Sequence, residues 1–263
     1  MMQVFVTTVQ GFVYRLQWAI SHHTEMSPSQ MQAMLDKNVL IMLIISALLS
    51  LFIYWMVFKA KQKNLWTYCH FSKPRMSVIL LAILLGLSFN LLFLMFDVIT
   101  SFDRLFPDYG QVVEPLLSGG FGLTIMIAGI IIPVFEEILF RGIVFNRLKT
   151  CLPLTAALWL QGFLFGAYHL NILQGIYGMI LGILAALVYE WFQSIWVPIA
   201  VHAAFNSISI FISRINNIEF IFRYGILFLI GSGILLGSTL YLLWKRRCLI
   251  IGLNDPTNLP GPA

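Results

Sequence analysis

Two adjacent carboxylates and a guanidinium interrupt an apolar stretch near the middle of the chain. Glu136, Glu137 and Arg141 lie within residues 127–149, most of which are apolar. Ionisable side chains at membrane depth are costly, so they persist there when they are paired, face a wet cavity or carry chemistry. In a helix Glu137 and Arg141 share one face and can pair, whereas Glu136 points about 100° away. We therefore predict a structural ion pair between Glu137 and Arg141, and a carboxylate at Glu136 that can do acid–base chemistry.

Two histidines lie in later apolar stretches. Phe165 and His169 are four residues apart, as are His202 and Asn206, so each pair shares a helix face. With a rise of 1.5 Å per residue, Glu136 and His169 lie at depths that differ by only about 5 Å, and His202 lies somewhat nearer the cytoplasm. One carboxylate, two histidines and one amide from three helices are therefore expected to converge in the inner half of the membrane.

Hydrolysis of an amide by activated water is the chemistry that this set of side chains could perform. A carboxylate beside an imidazole can take a proton from water and return it to the leaving amine. His202 and Asn206 could donate hydrogen bonds to a developing oxyanion. The same Glu and His side chains could instead hold a zinc ion, and the spacing leaves this open. There are two rival interpretations. The side chains could form interhelical hydrogen bonds without doing chemistry, or they could form a coupling-ion site or proton pathway of a transporter.

The composition predicts the class of protein that holds these residues. Of 263 residues, 59% are hydrophobic and 10% are charged, far from the roughly 25% charged residues of a soluble domain. We expect an all-α, polytopic transmembrane helix bundle with the lipid bilayer as its surroundings. The net charge of +5 comes from Lys and Arg clusters beside apolar stretches, which is typical of membrane orientation rather than of nucleic-acid binding. No nucleic acid is expected as a partner.

The chain divides by hydropathy into four parts. Residues 1–37 are expected to hold a marginal first span or interfacial helix at 4–20 and an outer loop. Residues 38–118 hold two spans and an acidic outer loop, 119–250 form the membrane core with the candidate catalytic residues, and 251–263 form a disordered tail. Basic clusters mark the inner ends of the spans and place both termini in the cytoplasm. The clusters comprise Lys59, Lys61, Lys63, Lys73, Arg75, Arg147, Lys149, Lys245, Arg246 and Arg247.

Three ordered motifs resemble those of one protease family. They are E-E-x-x-x-R from Glu136 to Arg141, F-x-x-x-H from Phe165 to His169, and H-x-x-x-N from His202 to Asn206. The chain thereby resembles the CAAX prenyl endopeptidase and bacteriocin-processing family, also called CPBP or Abi, of intramembrane proteases.

The resemblance implies about eight spans and cleavage near the cytoplasmic face. It also implies that Glu136 and His169 activate water and that His202 and Asn206 stabilise the oxyanion. Glu137, Arg141 and Phe165 then support the site from behind. Both a glutamate-type and a metal-dependent mechanism remain open, and zinc, if it is used, would be held by Glu136, His169 and His202.

The expected substrate is a peptide or a membrane protein. The chain is compact and carries no organelle address, which favours a multi-pass protein of a bacterial cell membrane that processes bacteriocin-like or other membrane-associated peptides. A prenylated substrate is not expected in that setting. The alternative from another class is a non-catalytic immunity or scaffold protein that binds a peptide in the same cavity.

Overall fold

The structure is a computed structural model, and it describes residues 18, 27–107, 109–215 and 223–253. Within these ranges every regular element is a helix, which confirms the all-α class. The helices are α1 (Pro28–Lys37), α2 (Val39–Ala60), α3 (Leu65–Tyr68), α4 (Met76–Thr100), α5 (Tyr109–Ser118), α6 (Phe121–Leu148), α7 (Leu154–Tyr168), α8 (Ile172–Phe192), α9 (Trp196–Ile212) and α10 (Gly225–Leu253). A 3₁₀ turn, Phe102–Leu105, connects α4 to α5.

Five of these helices are long and apolar enough to cross a membrane, namely α2, α4, α6, α8 and α10. Two more, α7 and α9, are apolar but only 15 and 17 residues long. The prediction of a polytopic helical bundle is confirmed by these elements. The expected span at residues 4–20 lies outside the described residues except for Trp18, and so does the tail from residue 254, so the count of eight stays a prediction.

Two segments outside the expected spans contain helix that the sequence analysis did not predict. Part of the predicted outer loop at residues 21–37 is helix α1, because Ser27 and Gln30 form a capping box and Pro28 occupies the first helical turn. The predicted tail also begins too early. Residues 251–253 continue helix α10 to Leu253.

Glycines let the helices around the site approach closely. A Cβ at Gly86 of α4 would overlap the carbonyl oxygen of Val201, the residue that precedes His202 in α9. A Cβ at Gly166 of α7 would overlap the carbonyl oxygen of Gly175 in α8. Small residues at helix contacts allow such backbone approach in membrane bundles. The positions of α7, α8 and α9 around the site therefore depend on these glycines.

Polar contacts tie the basic ends of the helices to one another. Lys149, after α6, pairs with Glu190 near the end of α8 at 2.5 Å. Ser72, in the segment between α3 and α4, exchanges hydrogen bonds with the α8–α9 turn at Gln193 and Ser194. These contacts place the ends of α6 and α8 and the starts of α4 and α9 at one end of the bundle. We refer to this end as the inner end, since it holds the basic clusters that predict a cytoplasmic side.

Candidate active site

The predicted ion pair lies in the core of the bundle. Arg141 Nη1 donates to Glu137 Oε1 at 2.7 Å, and neither side chain has any exposed surface. Arg141 Nη2 also donates to the carbonyl of Gly182 in α8, at 3.2 Å. Among the described residues, Glu137 Oε2 and Arg141 Nε have no hydrogen-bond partner. Such a pair leaves an uncompensated buried charge if one member is removed, so it fixes α6 against α8.

His202 bridges the two adjacent carboxylates. Its Nδ1 lies 2.7 Å from Glu137 Oε1, and its Nε2 lies 3.7 Å from Glu136 Oε2. An ionised carboxylate only accepts, so Nδ1 must carry the hydrogen in the bond to Glu137. Arg141 neutralises the charge of Glu137. The remaining charge, that of Glu136, is neutralised when one further proton is bound either by Glu136 itself or by His202 Nε2. The geometry therefore places the Glu136 carboxylate and the His202 imidazole next to each other, at a separation longer than a direct hydrogen bond.

The Phe165 ring separates the polar groups of three helices and is itself fully buried. The Arg141 guanidinium lies 4.4 Å from the ring centroid, in cation–π contact. The rings of His202 and His169 meet Phe165 edge to face, with centroids 5.4 and 5.1 Å away. Phe165 is thus the apolar wall that both histidines and Arg141 share, and its supporting role in the site stays a prediction.

His169 lies at the C-terminal cap of α7 and is half-buried. Its Nδ1 lies 2.9 Å from the carbonyl oxygen of Phe165, and since a carbonyl only accepts, Nδ1 is the protonated nitrogen. This bond fixes the ring and leaves Nε2 for water or substrate. No ion pair joins Glu136 to His169 within 4 Å in the described part of the chain, where Glu136 meets His202 instead.

Asn206 contacts α6 just before Pro133, which interrupts the backbone hydrogen bonds of that helix. Pro133 has no N–H to return to the preceding turn, and α6 winds there as a π-helix over Ile125–Ile131. Asn206 Nδ2 donates to the carbonyl of Ala128 at 3.1 Å, and Ser207 Oγ donates to that of Gly129 at 3.4 Å. An amide nitrogen carries two hydrogens, so this bond leaves one N–H of Asn206 for another acceptor.

Glu136 faces a small cavity that the sequence did not reveal. The cavity offers about 40 Å³ to the centres of water molecules, which is room for a few waters. Its polar lining comes from Glu136, the phenols of Tyr54 and Tyr168, and the hydroxyl-bearing Ser46 and Ser50. The spacing of polar residues in α2 could have indicated this cavity, because Ser46, Ser50 and Tyr54 recur every four residues in a largely apolar helix. Glu136 keeps 14% of its side-chain surface exposed, whereas its neighbour Glu137 keeps none.

The residues offered as zinc ligands are not arranged as a metal site. Among the described residues, no group of three or more His, Cys, Asp or Glu side chains is placed to hold a metal ion. Glu136 and His202 approach each other, but within the described ranges His169 makes no contact with Glu136 that would complete the set. A zinc site built from these three residues therefore does not fit the geometry.

By class, this protein is a membrane-embedded helical bundle that holds a carboxylate, an imidazole and a guanidinium in its core. Residues 118–208 match the family model for the type II CAAX prenyl endopeptidase, Rce1-like. This segment is about a third of the chain and contains all three motifs, so the match supports the resemblance predicted from them. No curated protein and no solved structure is significantly similar to the chain.

Proposed function

We propose that this protein is an intramembrane endopeptidase of the glutamate type, with Glu136 as its general base. The observation that carries the proposal is the contrast between two adjacent carboxylates. Glu137 is fully buried and held by Arg141, whereas Glu136 is partly exposed beside a cavity large enough for water. A general base must reach the proton that it abstracts, and only Glu136 meets that requirement.

The reaction needs one proton to move twice. Glu136 takes a proton from a water in the cavity, and the water oxygen forms a bond to the carbonyl carbon of the peptide. The tetrahedral intermediate carries its negative charge on the former carbonyl oxygen, to which the second N–H of Asn206 or Nε2–H of His202 donates. The proton then passes to the leaving nitrogen as the C–N bond breaks. His169, through its remaining Nε2, positions the water or the substrate.

The position of the site in α9 supports cleavage near the cytoplasmic face. His202 is six residues from Trp196, the first residue of α9, which corresponds to about 9 Å from the inner end. The substrate is therefore a peptide or membrane protein that reaches this depth from the cytoplasmic side. We place the protein in a bacterial cell membrane, where bacteriocin-like or other membrane-associated peptides are substrates of this kind.

The test uses the full chain purified in detergent. It is incubated with a peptide library, and with one peptide prepared both unmodified and with a farnesylated C-terminal CAAX cysteine, and fragments are identified by mass spectrometry. Wild type is expected to cleave an unmodified peptide, and Glu136→Gln to lose about a hundredfold to ten-thousandfold in rate. His202→Ala and Asn206→Ala are each expected to lose about a hundredfold. Glu190→Gln removes a carboxylate outside the site and is the matched control.

Three results would each overturn a part of the proposal. Cleavage by Glu136→Gln at the wild-type rate contradicts the general-base role. Peptide binding by wild type without cleavage of any peptide contradicts the protease and supports the non-catalytic scaffold. Stoichiometric metal in wild type, with activity lost on chelation and restored by zinc, contradicts the glutamate type.

A further inference from the structure

A second cavity lies toward the outer end of the bundle, where α4, α5, α8 and α9 meet. The cavity has a volume of about 210 Å³ that water molecules can enter. None of its lining residues also lines the cavity beside Glu136. The argument below uses five of its lining residues: Asn90, Phe93, Asp97, Tyr177 and Phe205. Asp97 is near the end of α4 that is remote from Met76, so the cavity belongs to the outer half of the bundle.

Aromatic rings form one continuous wall of this cavity. The Phe93 and Tyr177 centroids lie 5.1 Å apart, and the Tyr177 and Phe205 centroids lie 5.7 Å apart. The Tyr177 hydroxyl interacts with the side chains of Tyr109 and Gln174, which holds its ring in the wall. Aromatic faces carry negative potential and attract cations, and several faces around one space recognise ammonium groups.

The polar groups of the cavity add negative charge without a cation to balance it. Asp97 Oδ1 accepts the backbone N–H of Asp103 at 2.7 Å, which leaves Oδ2 for a ligand. No Lys, Arg or His lines the cavity within the described ranges. Arg214 follows the lining residue Ser213, but its guanidinium donates to the carbonyls of Leu117 and Gly119. The carboxylate of Asp97 therefore has no basic side chain beside it among the described residues that line this space.

The amide nitrogen of Asn90 on the wall is bonded within the protein. Asn90 Nδ2 donates to the carbonyl of Phe205 at 3.1 Å and lies 2.6 Å from Ser209 Oγ. A neutral hydrogen-bonding ligand would thus compete with internal bonds. A cation would gain both the carboxylate and the rings.

We infer that this cavity binds an organic ammonium group. The group is either the amine of a free small molecule or the headgroup of an ethanolamine or choline lipid at the outer surface. Both present a positively charged nitrogen to the Asp97 carboxylate and to the rings of Phe93, Tyr177 and Phe205. The inference does not depend on the proposed protease activity, because the two cavities are separate.

The first experiment measures binding of tetramethylammonium to the full chain in a maltoside detergent by saturation-transfer NMR. Tert-butyl alcohol, of similar size but neutral, is the matched ligand. Glu114→Gln removes an exposed carboxylate of α5 outside the cavity and is the matched variant. We expect saturable binding of tetramethylammonium alone, unchanged in Glu114→Gln and on the order of tenfold weaker in Asp97→Asn. Phe93→Leu removes one ring without touching the carboxylate and should also weaken binding.

The second experiment separates the two sources of the ammonium group. Native mass spectrometry compares retention of phosphatidylethanolamine and phosphatidylglycerol by wild type and Asp97→Asn. Selective, Asp97-dependent retention of phosphatidylethanolamine assigns the site to a lipid headgroup, and tetramethylammonium binding without lipid selectivity assigns it to a free amine. The inference fails if wild type shows no saturable tetramethylammonium binding, if tert-butyl alcohol binds equally well, or if folded Asp97→Asn and Phe93→Leu both bind as wild type does.

Discussion

The ion pair between Glu137 and Arg141 has no contact with solvent, and this decides how the bundle responds to its loss. We expect Arg141→Met to lower the free energy of unfolding by about 3–5 kcal/mol, because Glu137 would be left as an unpaired buried charge. The double variant Glu137→Gln/Arg141→Met leaves no charge behind and should recover most of that loss. Thermal unfolding of the purified proteins in detergent measures both effects.

The pair between Lys149 and Glu190 provides the contrast for that prediction. Its side chains are 22% and 28% exposed, so solvent compensates either charge when the other is removed. Lys149→Met should therefore cost less than about 1 kcal/mol. Equal losses of stability in Arg141→Met and Lys149→Met would show that burial does not govern the contribution of the inner pair.

Two of the three cysteines, Cys69 and Cys151, differ in reactivity for a physical reason. Cys69 has no exposed surface, and burial raises the pKa of its thiol to about 12, whereas Cys151 is exposed. A raised pKa lowers the thiolate fraction, to roughly one part in ten thousand for Cys69 at pH 8. In a Cys248→Ser background, maleimide at pH 8 should modify Cys151 and spare Cys69, as measured by mass spectrometry of tryptic peptides.

Unfolding the protein in detergent provides the control for this labelling. Both thiols should then react, because neither is shielded in the unfolded chain. Rapid modification of Cys69 in the folded protein would contradict its burial between α3 and α6.

At the scale of helices, the close approach of α4 to α9 depends on the absence of a side chain at Gly86. Gly86→Ala would place a methyl group against the carbonyl of Val201 and push α9, with His202, away from Glu137. Overpacking of this kind costs about 1–3 kcal/mol. Gly237→Ala in α10, where a Cβ would meet nothing within 4 Å, is the matched control and should raise stability by about 0.5–1 kcal/mol.

Melting temperatures of the two variants check this prediction, together with cleavage rates once a peptide is known. Gly86→Ala should lower both, and Gly237→Ala should leave the rate unchanged. A Gly86→Ala protein as stable as wild type would mean that α4 and α9 separate without cost.

The π-helical turn of α6 predicts a coupling between Pro133 and Asn206. Asn206→Ala leaves the Ala128 carbonyl without its donor, which costs about 1–3 kcal/mol in a buried site. In a Pro133→Ala background, the new N–H at position 133 can satisfy that turn, so the same substitution should cost less. A double-mutant cycle in thermal unfolding measures the coupling, and independent, additive effects would contradict it.

The helices show what the sequence could and could not predict. The apolar stretches and basic clusters were sufficient for α2, α4 and α6 to α10, and helical spacing was sufficient for the pair of Glu137 with Arg141. The contact of Asn206 with Ala128 was not predictable from spacing, because it depends on how Pro133 unwinds a different helix. The bridge from His202 to both carboxylates was missed for a similar reason, since depth along helices does not specify rotation about their axes.

At the scale of the whole molecule, the charges at the two ends predict its orientation in the membrane. The contacts of Lys149 with Glu190 and of Ser72 with Ser194 gather the basic segments at one end. Asp97 lies near the outer end of α4, and Glu114 lies in the following helix, α5. Cytoplasmic segments carry the excess of Lys and Arg, so we expect the basic end to face the cytoplasm.

Cysteine labelling in intact cells tests this orientation. In a Cys69→Ala, Cys151→Ser, Cys248→Ser background, Glu114→Cys introduces an exposed thiol in α5, and Lys61→Cys introduces one after α2. A membrane-impermeant maleimide should modify Glu114→Cys in intact cells, because that position faces outward. Lys61→Cys should react only after the cells are permeabilised, and this reaction confirms that its thiol is accessible. The reverse pattern would show that the bundle has the opposite orientation, so that a substrate would reach Glu136 from the other side of the membrane.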